Sequence, residues 1–260
     1  MADGIVFIDG FDHYNDLRLK WETLNVSGAP SGFTGRFTTG RGESGQALSR
    51  VYGSTGSEYI RQSFSSNISK LIFGIAFKGL NGGSVYFTLR DSNSIQCQVH
   101  IITSGGIVSV RLRNAADSTA ASYSLGSDPL GSWHYLEASL EIADSGAYEI
   151  RIDGETIMSG TADLKATANA YATGFGISMG GNDDIDYTPL DDLCILDNSG
   201  GTLDFLGDCA VKTIYPTSDV SVGFTPSTGS DNYALAADTS DATYNYANNA
   251  QEDKFGFGDI

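Results

Sequence analysis

"SWHYLEASLEIADSGAYEIRIDGETIMSG", residues 132–160, reads as two alternating strands and two turns. Leu136, Ala138, Leu140 and Ile142 fall on one face of the first strand, and Glu137, Ser139 and Glu141 fall on the other. That is the period-2 signature of a sheet with one apolar and one wet side. Asp144-Ser145-Gly146 supplies a turn, and the return strand sets Tyr148, Ile150 and Ile152 inward against Glu149, Arg151 and Asp153. Asp153-Gly154 then turns the chain again, since Asp-Gly is a preferred pair for a two-residue hairpin loop. The stretch predicts an antiparallel meander.

Working outward, similar runs recur at the even spacing of a sandwich: 4–11, 21–26, 45–52, 58–64, 70–80, 84–91, 95–103, 107–114, 121–126, 171–179 and 191–197. No long stretch places apolar residues at helical spacing. The 32 glycines and Ser, Thr, Asn and Asp clusters between the runs supply turns. The expected fold class is therefore all-β, a jelly-roll sandwich of two antiparallel sheets over residues 1–197.

After Asp197 the composition shifts. Residues 198–260 hold nine acids against Lys212 and Lys254, and aromatics recur singly. Such a segment is short of apolar residues for a core of its own, so an extended C-terminal arm or small β appendage is expected. Phe205, Leu206, Tyr215, Phe224 and Tyr233 are its candidate interface anchors.

The formal charge of −17, from 32 acidic and 15 basic residues, disfavours nucleic acid and anionic lipid as partners. The start "MADGIVFIDGFDHY" has no basic region followed by an apolar core, and no run reaches the roughly 20 apolar residues of a membrane span, so no membrane insertion is expected. Cys97, Cys194 and Cys209 form no Cys-x-x-Cys pair and read as small buried hydrophobes.

Trp133-His134-Tyr135, the run Tyr148 to Gly154 and Asp191-Asp192-Leu193 together resemble the late strands of the concanavalin A-like or laminin-G-like sandwich. A narrower resemblance lies in "FIDGFDHY" (7–14), "KWETL" (20–24), "DFLGD" (204–208) and "FTPSTGSDNYA" (224–234). These are similar to segments of a family of tailed-bacteriophage virion proteins. That resemblance implies a non-enzymatic structural protein of the tail or a capsid decoration, made in the host cytoplasm and located in the virion. Its implied partners are other virion proteins, with a homo-oligomeric or multicopy arrangement. A glycan-binding adhesin contacting the host surface and a divergent glycoside hydrolase are the alternatives.

A hydrolase on such a sandwich needs alternate carboxylates on one strand facing a cleft. The nearest match, Glu137 with Glu141, is expected on a solvated outer face. His13, His100 and His134 have no metal-ligand spacing and no nucleophile beside them, so no catalytic residue is assigned. The glycine-rich stretch 32–42 is followed by no helix that would receive a phosphate. Two acidic loops remain. Asp9, Asp12 and Asp16, with Asp183, Asp184, Asp186, Asp191 and Asp192, offer hard oxygen ligands for calcium, the one candidate cofactor. Of these, Asp9, Asp12, Asp184 and Asp186 are the leading ligands, because the first and last strands of this sandwich lie side by side. Tyr14 and Tyr187 in the same loops are candidate stacking platforms for a host-surface glycan.

Overall fold

The computed structural model describes residues 3–12, 17, 20–25, 36–43, 45–50, 59–78, 82–104, 107–127, 131–180, 188–212, 216–229, 231–236, 245–246 and 254–257. The quoted stretch forms two paired strands, Trp133–Glu141 and Gly146–Ile152, with Leu136 opposite Ile152, Ala138 opposite Ile150 and Leu140 opposite Tyr148. At its second tip Asp153 and Gly154 both take positive φ, 52° and 84°, the left-handed pair a tight hairpin needs. The Asp153 carboxylate reaches back to the strand's start, accepting from the Tyr135 amide at 2.8 Å and lying 2.7 Å from His134 Nδ1. His134 therefore serves the hairpin.

The sandwich strands are β1 (Gly4–Asp9), β2 (Thr23–Asn25), β3 (Arg36–Thr39), β4 (Gln46–Arg50), β5 (Tyr59–Ile68), β6 (Lys70–Lys78), β7 (Gly82–Asp91), β8 (Ser94–Ser104), β9 (Ile107–Arg113), β10 (Thr119–Ser127), β11 (Trp133–Glu141), β12 (Gly146–Ile152), β13 (Glu155–Ala162), β14 (Ala172–Gly180) and β15 (Leu190–Asp197). One sheet runs β13-β12-β11-β6-β15-β4-β3, with β1 also on β15; the other runs β10-β9-β8-β7-β14-β5-β2. All these pairings are antiparallel. The fold is an all-β jelly-roll sandwich.

Its interior is apolar because the two sheets turn apolar side chains toward one another. Phe73 from the first sheet meets Phe87 and Phe175 from the second, each at 5.4 Å between ring centroids. Cys97 is buried here, and loss of solvation pushes its thiol up to about 12, leaving it an unreactive hydrophobe. Strands β3 and β13 were not foreseen. In β13 only Met158 is buried, so the strand shows no alternation.

The chain divides into two compact units after Val211, later than the compositional shift at Asp197. The reason is packing. Leu203, Phe205 and Cys209 lie on a patch of Ile72, Cys194 and Leu196 on the outside of the first sheet. Glu137, expected on a solvated face, is consequently only 2% exposed and accepts the Gly207 amide at 2.9 Å. Burial raises its carboxyl.

The second unit, Lys212–Ile260, pairs β16 (Pro216–Ser221) with β19 (Lys254–Phe257) and β17 (Thr225–Pro226) with β18 (Asn245–Tyr246). A short helix, α1 (Asn232–Ala236), starts where the Asn232 and Tyr233 amides donate to the Asp219 carboxylate at 3.1 and 2.8 Å. Among the described residues it is a small β unit with one helical turn.

Candidate functional site

Of the four leading calcium candidates, Asp9 and Asp12 are described, and both are engaged within the protein. Strand β1 does lie against β15. Asp9, however, is fully buried and accepts the Phe11 amide and the Trp21 indole N–H, both at 2.9 Å, with Lys20 Nζ at 3.6 Å. Asp12 accepts the Gln46 amide at 2.7 Å. Asp191 accepts the amides of Arg41 and Asp192, each at 2.8 Å, and Asp192 accepts that of Val211 at 2.7 Å. The guanidinium of Arg41 sits among them, 3.6 Å from Asp192 and hydrogen-bonded to Asp208. Burial, then the charges of Asp192 and Asp12, pushes Asp191 up to about 7 against the pull of the Arg41 amide. No group of three or more His, Cys, Asp or Glu side chains among the described residues is arranged to hold a metal. Asp16, Asp183, Asp184, Asp186, Tyr14, Tyr187 and Tyr215 lie outside the described residues.

Of the candidate interface residues, Phe205 packs on its own sandwich, its ring 3.9 Å beneath the Arg151 guanidinium. Leu206 beside it is 53% exposed. Phe224 and Tyr233 are half-buried within the second unit.

A different surface carries a concentrated set of functional groups. In the second sheet the inward residues of β7, β8 and β9 are Val85, Phe87, Leu89, Cys97, Val99, Ile101, Val108, Val110 and Leu112, all buried. The alternate positions therefore face outward: Tyr86 and Thr88 on β7, Gln98 and His100 on β8, Arg111 and Arg113 on β9. Register aligns them in rows, Tyr86–His100–Arg111 and Thr88–Gln98–Arg113. The rings of Tyr86 and His100 stack at 3.8 Å with 17° between planes. Gln98 donates to Thr88 Oγ1 at 3.1 Å.

His100 is 6% exposed, and its Nε2 is buried without a hydrogen-bond partner. Burial, then the charges of Arg111 and Arg113, lowers it to about 4, so the ring is neutral at physiological pH. Of the two arginines, Arg113 pairs with Asp117 at 3.0 Å.

Strand β14 continues the face on the other side of β7. Gly174 stands opposite Arg90 of β7 and Ser63 of β5; Gly176 stands opposite Thr88 and Arg61. These glycines leave a low floor. A Cβ at Gly176 would stand 3.3 Å from the Arg61 side chain, and one at Gly174 would meet the Gln62 carbonyl at 2.9 Å. A cavity of about 210 Å3 opens there, lined by Arg61, Gln62, Ser63, Arg90, Asn93 and Thr173 among others. Arg61 lies over the Tyr59 ring at 3.7 Å, and Arg90 donates to the Asn93 carbonyl. Burial and the neighbouring Arg61 charge hold the Arg90 guanidinium below its ordinary value. From β5 to β9 the face spans four strand spacings, about 19 Å, enough for a short oligosaccharide.

Sequence reading passed over this site, since each strand contributes only one or two of its residues. A signal was present: residues 59–113 contain six Lys or Arg and only one acid, Asp91, in a strongly acidic chain.

No family model matches the chain, and comparison with curated proteins finds no match either. Among solved structures, a carbohydrate esterase of the Shiga toxin-encoding bacteriophage phi24B is 13% identical with a TM-score of 0.50, over 75% of this chain and 98% of that one. The globular domain of T. cruzi calreticulin is 15% identical with a TM-score of 0.49, over 75% and 88%. The CBM2 module of the evolved Dit of Lactobacillus casei BL23 phage J-1 is 14% identical with a TM-score of 0.47, over 75% and 96%. The chain is similar to these in its jelly-roll fold.

Proposed function

We propose that this chain is a non-enzymatic, glycan-binding virion protein of a tailed phage, with the outward face of its second sheet as the saccharide site. The observation that carries the reading is the outward, partly exposed Tyr86 ring, held by stacking on the buried His100 and set in a trough of hydrogen-bonding side chains beside a glycine floor. A flat aromatic surface stacks on the apolar face of a sugar ring, while Gln98 and the arginines offer directional bonds to hydroxyls. The phage esterase of similar fold is a carbohydrate-acting protein, which supports a saccharide ligand, and the segments at 204–208 and 224–234 support a virion setting.

Isothermal titration against a panel of neutral and acidic oligosaccharides tests the reading. At least one should bind, and Tyr86→Ala should weaken it about five- to tenfold, the scale of one lost aromatic contact. Absence of any saccharide binding, or binding indifferent to Tyr86→Ala, would refute it.

A further inference from the structure

The glycan-binding reading says where a saccharide lies, and the charges on that face say what kind it is. The protein is strongly acidic, yet its outward second-sheet face gathers Arg61, Arg90, Arg111 and Arg113, four of its 15 cationic residues. Arg113 has Asp117 as a partner. At the other end, the acids near the cavity are already hydrogen-bonded, Glu22 at the cavity rim itself. Glu22 accepts the Ser63 amide at 3.0 Å and the Gln62 side chain at 3.2 Å, while buried Asp91 accepts Thr167 and Asn169.

Arg61 and Arg90 stand on β5 and β7, about 10 Å apart in strand spacing, with only the glycines of β14 between them. The Nε of each is buried and lacks a hydrogen-bond partner within the protein. Two like charges held over one cavity, each with an unused donor, repel one another unless an anion joins them. Arginine's planar guanidinium matches the two oxygens of a carboxylate. Nearby Ser63, Asn93 and Thr173 offer hydroxyl and amide groups suited to the rest of a sugar ring.

We infer that the Arg61–Arg90 cavity is a subsite for the carboxylate of an acidic polysaccharide, a polyuronate whose chain runs from this cavity across Tyr86 toward Arg111. This inference rests on the glycan-binding reading and narrows it to one substrate class. The cavity takes one uronate carboxylate. Arg111, exposed at the far end of the Tyr86–His100 row, meets a second further along the chain.

The test uses the full chain with oligomers of galacturonate, glucuronate, mannuronate and guluronate, each beside its carboxyl-reduced neutral counterpart, and with single-stranded DNA of matched charge. At least one uronate should bind about tenfold or more tightly than its reduced form, and Arg61→Gln and Arg90→Gln should each remove about that factor. Thermal melting should remain near that of the parent, and the carboxyl-reduced oligomers should lose markedly less affinity than the uronates do. If reduced and acidic forms bind alike but both depend on Tyr86, the polyuronate assignment falls while the glycan site stands. If DNA binds as well as any uronate, the site is a general polyanion surface and the assignment also falls. If nothing binds, both readings fail together.

Discussion

His100 and Asp191 are buried titratable groups on opposite sheets, displaced in opposite senses. His100 faces Tyr86, Gln98, Arg111 and Arg113; burial and then the two arginine charges lower it to about 4 from an ordinary 6.5. Between pH 6.5 and 4 the unfolded chain takes up a proton that the folded chain refuses. His100 therefore costs stability as pH falls through that window. Asp191, raised to about 7 from 3.8 by burial first, does the reverse. There the folded chain keeps a proton that the unfolded chain releases, so its contribution is full below pH 3.8 and is lost as pH rises toward 7. Each effect is on the order of 3 to 4 kcal/mol at most, and between pH 4 and 6.5 the two act in opposite directions. Urea titrations across pH 4 to 7 should show His100→Gln gaining relative stability on acidification. Asp191→Asn should lose it, on a lower baseline because an amide oxygen cannot serve both the Arg41 and Asp192 amides. Identical pH profiles for both variants and the parent would overturn this account.

At the scale of the element, the β11–β12 hairpin shows which glycines are required by contact and which by backbone angle. A Cβ at Gly146 would stand 1.9 Å from the Glu141 carbonyl oxygen, with no flexible side chain to yield. Gly146→Ala should therefore cost about 2 kcal/mol or more in chemical unfolding. Gly154 has open space around it but φ of 84°, so Gly154→Ala should cost about 1 kcal/mol, through the backbone alone. Equal costs would show that the turn relaxes around a side chain. The β11–β12 hairpin was legible in the sequence because its pattern is local: alternation sets the faces, and Asp144-Ser145-Gly146 sets the turn. The site was less legible because it is assembled by non-local pairing. Insertion of β14 between β7 and β5 brings Arg90 and Arg61 to the same glycine strand, and nothing near either arginine in the sequence announces that neighbour. Glu137 misled for a related reason. Its strand alternates as a half-wet strand should, but Leu206 and Gly207, about seventy positions on, cover the wet side.

For the molecule as a whole, the units meet in sequence at Val211, and the proposed saccharide face lies wholly within the first. Residues 198–211 belong with the sandwich. Removing them strips Leu203 and Phe205 from Ile72, Cys194 and Leu196, takes the Gly207 amide from buried Glu137 and the Val211 amide from Asp192, and leaves Arg41 without Asp208. Two half-buried apolar side chains and two lost hydrogen bonds to buried carboxylates together amount to about 3 kcal/mol or more. A chain ending at Asp197 should unfold at lower urea than one ending at Val211 by at least that much. The chain ending at Val211 should keep the Tyr86-dependent glycan site, which lies wholly within the sandwich. If Lys212–Ile260 supplies attachment to the particle, that same chain should bind oligosaccharide in solution yet fail to join virions in a complementation assay. Normal incorporation of the chain ending at Val211 would remove the attachment role from the second unit and place it on the sandwich, where the exposed Leu206 would be the first residue to change.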